Sequence, residues 1–317
     1  MFHPIEGARW RIKLLAKFVL GPYREEWVNV AKDPRNFLPA WGPRTFCLLQ
    51  NKIFLIGTDL RPPSLLFVYL TKGTVRSKRV NFPSIDCIDV LGDKVALAGK
   101  GVLAVCQWNG AKLIEIARTK VFDSFGPSIT RVKWINNNQL SVVQFIRTIT
   151  IESNIARVKV LRLNKGQIKE TEKWEISWKF AFPGFLEKNR LVTVEGGKLC
   201  IVNLTHPLRI EKIRLKSNQF RNLFGEIIGK IGSHYLCDSM SCRLILISSQ
   251  GKIINWWKYP WYRYAQIWGQ RFFVSSNGKI YMIGELHGKT PYDRKWYRKG
   301  NLWWCEWGIF ELVPPKK

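Results

Sequence analysis

The residues best suited to chemistry in this chain lie in its last quarter. Lys289, Tyr292, Arg294, Lys295, Trp296, Tyr297, Arg298 and Lys299 place five cations and three rings within thirteen residues counted from Lys289. An earlier run, Trp256-Trp257-Lys258-Tyr259 followed by Trp261-Tyr262-Arg263-Tyr264, has the same character. Rings interleaved with cations suit a single-stranded nucleic acid, because bases stack on the rings while Lys and Arg follow the phosphates. Each stacked base is worth roughly 1–3 kcal/mol, so two or three exposed rings would matter. The same side chains also serve anionic lipid headgroups and protein hot spots. Strands such as Trp303 to Phe310 must bury alternate rings, so most of these Trp are expected in the core. The segment from His287 to Asn301 reads as a long loop and is the first choice for a contact.

A second set comes from stepping seven residues back from each copy of the repeat described below. It gives Arg44, Asp86, Arg131, Phe182, Glu226 and Arg263. Should these line a central channel, Arg44, Arg131 and Arg263 would suit bidentate capture of phosphate or carboxylate. Asp86 and Glu226 could then do acid–base work if one pKa were shifted. Pairing among these charges is the first reading, anion binding the second and catalysis the last, since no His lies at these positions. A one-residue slip would turn every one of them to the other face. The chain has no P-loop, no G-x-S-x-G, no H-E-x-x-H and no dinucleotide glycine pattern. The expectation is therefore a protein that is not an enzyme and carries no cofactor. No metal is expected either, because the four His and seven Cys form no ligand spacing.

The elements that must hold these residues show themselves as a repeat. It reads Asn51-Lys-Ile-Phe-Leu-Ile56, Asp93-Lys-Val-Ala-Leu-Ala98, Asn138-Gln-Leu-Ser-Val-Val143 and Asn189-Arg-Leu-Val-Thr-Val194. Weaker copies follow at Ser233-His-Tyr-Leu-Cys237 and Gln270-Arg-Phe-Phe-Val274. A further apolar run and an x-Gly turn follow most copies, as in Val102 to Trp108 before Asn109-Gly110, which is a hairpin signal. Helical periodicity is almost absent. Four short strands in each 40–45 residues is the spacing of a propeller blade. The chain resembles the β-propeller superfamily over 44–317, at the level of the repeat and of no single family. The resemblance implies an all-β fold of about six four-stranded antiparallel blades, with room for a seventh in the first 43 residues and paired β-sandwiches as the fallback. Residues 1–43 form a separate N-terminal segment in this reading. Within it Trp10, Ile12 and Leu14 alternate with Arg9, Arg11 and Lys13, as in a half-buried strand that pairs with the last blade and closes the ring. A basic amphipathic helix is the alternative there.

Charge sets the class of partner. Fifty-one Lys and Arg face 23 Asp and Glu, a net +28, so an anionic partner is expected. A thermophilic source would explain abundant Lys but normally brings Glu as well. The odd cysteine count and the absence of a signal-peptide pattern argue for a protein kept inside the cell, with no segment apolar enough to span a bilayer. Most Cys should be buried thiols, although Cys237 and Cys242 flank a short segment that a disulfide could bridge. The leading expectation is a strongly basic binding or scaffold propeller for nucleic acid or a ribonucleoprotein. A structural subunit of a virion or filament, using exposed Trp, Tyr and Arg for protein contacts, comes second, and an enzyme with its site in the channel third.

Overall fold

The computed structural model describes residues 11–23, 43–58, 63–70, 75–79, 82, 84–123, 128–148, 154–204, 209–239, 243–258, 272–286 and 296–313. The first strand, β1 (Arg11–Tyr23), is followed by five antiparallel meanders in chain order. Blade 1 is β2 (Pro43–Leu49), β3 (Ile53–Thr58), β4 (Ser64–Tyr69) and β5 (Val75–Arg79). Blade 2 is β6 (Cys87–Leu91), β7 (Lys94–Gly99), β8 (Val102–Trp108) and β9 (Leu113–Lys120). Blade 3 is β10 (Ser128–Asn136), β11 (Gln139–Ile146), β12 (Ile155–Asn164) and β13 (Gln167–Ser177). Blade 4 is β14 (Phe185–Glu187), β15 (Arg190–Glu195), β16 (Lys198–Asn203) and β17 (Arg209–Arg214). Blade 5 is β18 (Gly225–Ile231), β19 (His234–Ser239), β20 (Arg243–Ile247) and β21 (Ile253–Lys258).

Blade 6 is assembled from both halves of the chain. Its strands β22 (Phe272–Val274), β23 (Ile280–Glu285), β24 (Trp296–Lys299) and β25 (Leu302–Val313) are joined by β1, which pairs antiparallel along β25. The order across the sheet is β22, β23, β25, β1, with β24 continuing the β23 edge of β25. The innermost strands of successive blades touch in ring order, and β22 returns to β2. The fold is a six-bladed β-propeller.

Apolar alternation explains the packing. One buried cluster fills each seam between neighbouring blades. The seam between blades 6 and 1 holds Trp307, the largest of the fully buried side chains, with Phe18 and Leu20 of β1 and Phe46 and Phe54 of blade 1. Burying each such side chain contributes about 1.5–3 kcal/mol. A bulge at Leu15 turns β1 over: Leu14 pairs with Phe310, but Ala16 pairs with Ile309. Ala16, Phe18 and Leu20 therefore enter the seam, while Leu14 stays 39% exposed. Leu14, expected on the buried face, is thus out of phase with it, because a one-residue bulge inverts the alternation.

The repeat marks the second strand of blades 1 to 5, β3, β7, β11, β15 and β19. Its sixth copy is corrected. Its described part, Phe272 to Val274, is the inner strand β22, and the second strand is β23, after the Ser275–Gly278 turn. Cys237 is a buried free thiol, and Cys47, Cys87 and Cys200 are free and buried too. Cys242 lies outside the described residues, as do Trp10, Arg9, Arg263, Lys289, Tyr292, Arg294 and Lys295.

Candidate functional site

Side chains of the inner strands meet in a channel of about 560 Å³. On β10, Arg131 and Lys133 are two residues apart and so share a face. Arg131 is 9% exposed. It donates through Nη1 to the Asp86 carbonyl (3.0 Å) and through Nη2 to Glu226 Oε1 (2.9 Å) on blade 5. Burial alone would lower its pKa, but the charge and hydrogen bond of Glu226 outweigh this and leave it raised. Nearer the other end, Lys133 Nζ donates to Asp89 Oδ1 (2.7 Å), and the Trp134 amide donates to Asp89 Oδ2 (2.8 Å). Lys133 follows the same logic: burial opposes its charge, Asp89 more than offsets that, and its pKa is raised. Lys230 Nζ donates to Glu187 Oε1 (2.7 Å), and the Tyr235 hydroxyl donates to Glu187 Oε2 (3.0 Å). Burial, then the Glu187 charge, pushes the Tyr235 phenol up to about 12.

These contacts set Asp89, Lys133, Glu187 and Lys230 on blades 2, 3, 4 and 5, signs alternating around the wall. Blades 1 and 6 supply Leu48 and Phe273 instead, with the Phe46 ring buried behind them, its centroid 5.9 Å from that of Phe273. The channel therefore has a charged half and an apolar half.

The stepped-back set is only partly brought together. Arg131 and Glu226 meet as an ion pair, and Arg44 lies 3.9 Å from Asp86. Asp86 does not face the cavity. It is 4% exposed and accepts from the Ser84 hydroxyl (2.9 Å) and the amides of Lys100 (3.2 Å) and Thr130 (3.3 Å), which staples blade 2 to blade 3. Phe182 precedes the inner strand of blade 4, whose channel residues are Phe185 and Glu187. That strand is only three residues long, so the seven-residue step back from Asn189 lands before it. Asp89, Lys133, Glu187 and Lys230 were missed. Arg131 and Lys133 at i and i+2 on one strand carried the signal for the second tier.

The segment from His287 to Asn301 is not one loop. Its second part is β24, hairpinned onto β25 with Trp296 opposite Cys305 and Arg298 opposite Trp303. Tyr297 is exposed, and the Arg298 guanidinium lies 5.8 Å from the centroid of the Trp303 ring while its Nε donates to the Gly300 carbonyl (3.0 Å). Lys299 continues the strand opposite Leu302.

A second basic surface, which the sequence pattern did not reveal, lies on the rim of blade 4. Lys198, Lys212, Arg214, Lys216, Arg221 and Lys252 are all exposed. Lys198 and Arg214 sit directly opposite each other on β16 and β17. The Lys216 amide donates to the Gly251 carbonyl (2.9 Å), which brings Lys252 alongside. Gly197 has φ +70, and a Cβ there would lie 1.9 Å from the Arg221 carbonyl oxygen, so only glycine lets that segment close on the turn. None of the six is ion-paired among the described residues. Like charges directly opposite on a sheet are destabilising unless something anionic covers them.

No protein-family model matches the chain, and no curated protein matches its sequence. Solved structures match its fold. The calcium-binding protein regucalcin from Agrobacterium tumefaciens is 10% identical, covering 88% of this chain and 93% of that one with a TM-score of 0.52. The WD40 domain of Toxoplasma gondii coronin is 12% identical, covering 88% of this chain and 56% of that one with a TM-score of 0.39. A propeller fold without a shared sequence is what the regucalcin likeness establishes.

The expectation that the chain is not an enzyme is corrected by the regucalcin match. It rested on missing sequence motifs, and a propeller of that shape assembles a channel site from separate blades, where no contiguous motif would show. Among the described residues no helix is long and apolar enough to cross a membrane.

Proposed function

We propose that the protein docks a polyanion, nucleic acid or a ribonucleoprotein, on the rim of blade 4 and the β24–β25 hairpin. The observation that carries this reading is the sorting of charge. In the channel, Arg131, Lys133 and Lys230 each hold a carboxylate within 2.9 Å. On the rim, six exposed cations gather, two of them face to face. Anionic phosphates would relieve that repulsion and release counterions. Both surfaces sit beside connections between second and third strands, β15–β16 in blade 4 and β23–β25 in blade 6. In a ring of like-wound meanders those connections share one face, so one long polyanion can reach both. Tyr297 and Arg298 add an exposed ring and cation for stacking.

Calcium, which the regucalcin binds, fits this chain poorly. Calcium takes six to eight oxygen ligands, and among the described residues no three His, Cys, Asp or Glu are grouped to hold a metal ion. The channel carboxylates Asp89, Glu187 and Glu226 are each bonded to a Lys or Arg.

The test is fluorescence anisotropy with labelled single-stranded RNA, single-stranded DNA and duplex DNA across a salt series, with heparin as competitor. Removal of one cation that neutralises a phosphate should flatten the log–log salt slope by about 0.7 for a single strand. The Lys198→Ala, Lys212→Ala, Arg214→Ala, Arg221→Ala variant should flatten it by about 2–3. Binding that survives in that variant, or that heparin abolishes as readily as unlabelled RNA does, would refute the reading. Self-association seen by light scattering instead would move the assignment to an assembly subunit, with Tyr297, Leu302 and Val19 as the exposed apolar contacts.

A further inference from the structure

The charged half of the channel is balanced, and that balance selects a ligand. Lys133 and Lys230 keep 41% and 30% of their side chains exposed, and Glu187 lies on the blade between them. Each ammonium has three N–H donors and spends one on its carboxylate. A simple anion entering here would meet Asp89 and Glu187, and a simple cation would meet Lys133 and Lys230. A zwitterion escapes both penalties: its carboxylate can span the two ammonium groups while its own ammonium faces Glu187. Opposite this wall, the partly buried Leu48 and Phe273 offer an apolar face to a ring. The volume, about 560 Å³, is that of a small-molecule pocket.

We propose that the channel is a binding site for a small zwitterion with an aromatic body, of the class of the aromatic α-amino acids. The polar end sits against Lys133, Glu187 and Lys230, and the ring lies on Leu48 and Phe273. Tyr235 holds Glu187 from behind and is a positioning residue. The site is independent of the rim, since none of these residues belongs to the basic surface of blade 4.

Isothermal titration calorimetry on the full chain tests it with four probes: L-phenylalanine, 3-phenylpropionate, phenethylamine and glucose. These present the zwitterion, the anion alone, the cation alone and an uncharged polyol. L-Phenylalanine should bind at least roughly tenfold more tightly than any other, as each of the others lacks at least one charge-assisted hydrogen bond. Lys133→Gln should weaken L-phenylalanine by roughly tenfold while leaving phenethylamine unchanged or tighter, and Phe273→Ser should weaken both. Near-UV circular dichroism confirms that each variant is folded, and Lys230→Gln serves if Lys133→Gln is not. Equal affinity for all four probes, no heat at millimolar concentration, or unaltered binding in both lysine variants would overturn the proposal.

Discussion

Lys and Arg behave differently in the wall of the channel and on the rim of blade 4. In the wall, Arg131 reaches across from blade 3 to Glu226 of blade 5, and Lys133 and Lys230 each close on a carboxylate at 2.7 Å. On the rim, Lys198 faces Arg214 with no acid between them. Desolvation accounts for the contrast. A cation in a confined, partly dry channel needs a partner, whereas one in water tolerates a like neighbour at a cost of tenths of a kcal/mol. The wall charges therefore belong to the architecture and to whatever small ligand fits between them. The rim charges have no architectural task, and they display part of the chain's net +28.

The sharpest way to break this comparison is to remove one cation from each region. Arg131→Met strands Glu226 and the Asp86 carbonyl and should cost about 3 kcal/mol in urea unfolding, at the low end for a buried pair because Glu226 keeps 26% of its side chain exposed. Adding Glu226→Gln should recover a large part of that stability, as the uncompensated charge goes. Arg214→Met on the rim should change stability by less than about 0.5 kcal/mol. Equal losses at the two positions would mean that the rim charge is structural after all.

A smaller effect lies in the Tyr235–Glu187 bond, which braces the same wall. Tyr235→Phe should cost about 1.5–3 kcal/mol at neutral pH, the range for a hydrogen bond to a charged group. The native phenol titrates at about 12, against an ordinary value of 10. Its contribution is thus fully present below pH 10 and is lost as pH rises through 12. Lys133, also raised, loses its contribution over the same alkaline range, so the variant keeps part of the decline. The gap between native protein and Tyr235→Phe should close between pH 10 and 12. A gap that stays constant across that window would place the hydroxyl away from the Glu187 charge.

How much of this was legible in the sequence follows from which interactions are local. The hairpin unit of a turn followed by an apolar strand recurs because every blade needs it, so five of the six second strands could be read directly. The sixth was misplaced by one strand because Phe272-Phe273-Val274 is as apolar as a second strand and follows a polar pair, Gln270-Arg271, as the other copies do. Arg131 and Glu226 could be set on one channel-facing tier from register alone, although 95 residues separate them. Glu187 could not, since β14 is only three residues long and the step back from the repeat overshoots it. The rim was invisible for a different reason. Lys198, Arg214, Arg221 and Lys252 are scattered along the chain, and only the cross-strand register and the close approach at Gly197 bring them together.

That register makes the smallest prediction the most discriminating one. Arg214→Glu would place a carboxylate opposite Lys198, on an edge strand with no other partner among the described residues, and turn a repulsive cross-strand pair into an attractive one. Pairs of this kind are worth roughly 0.2–1 kcal/mol on a sheet surface, so the variant should be slightly more stable than the native protein in urea. The same change removes one cation and neutralises a second, and polyanion affinity should fall along with the salt slope, by about 1–2. Stability and binding would then move in opposite directions through a single substitution. A rim that only kept the protein soluble would gain the stability and lose no binding. A rim selected for docking must give up one to have the other, because the repulsion left between Lys198 and Arg214 is what an incoming phosphate relieves.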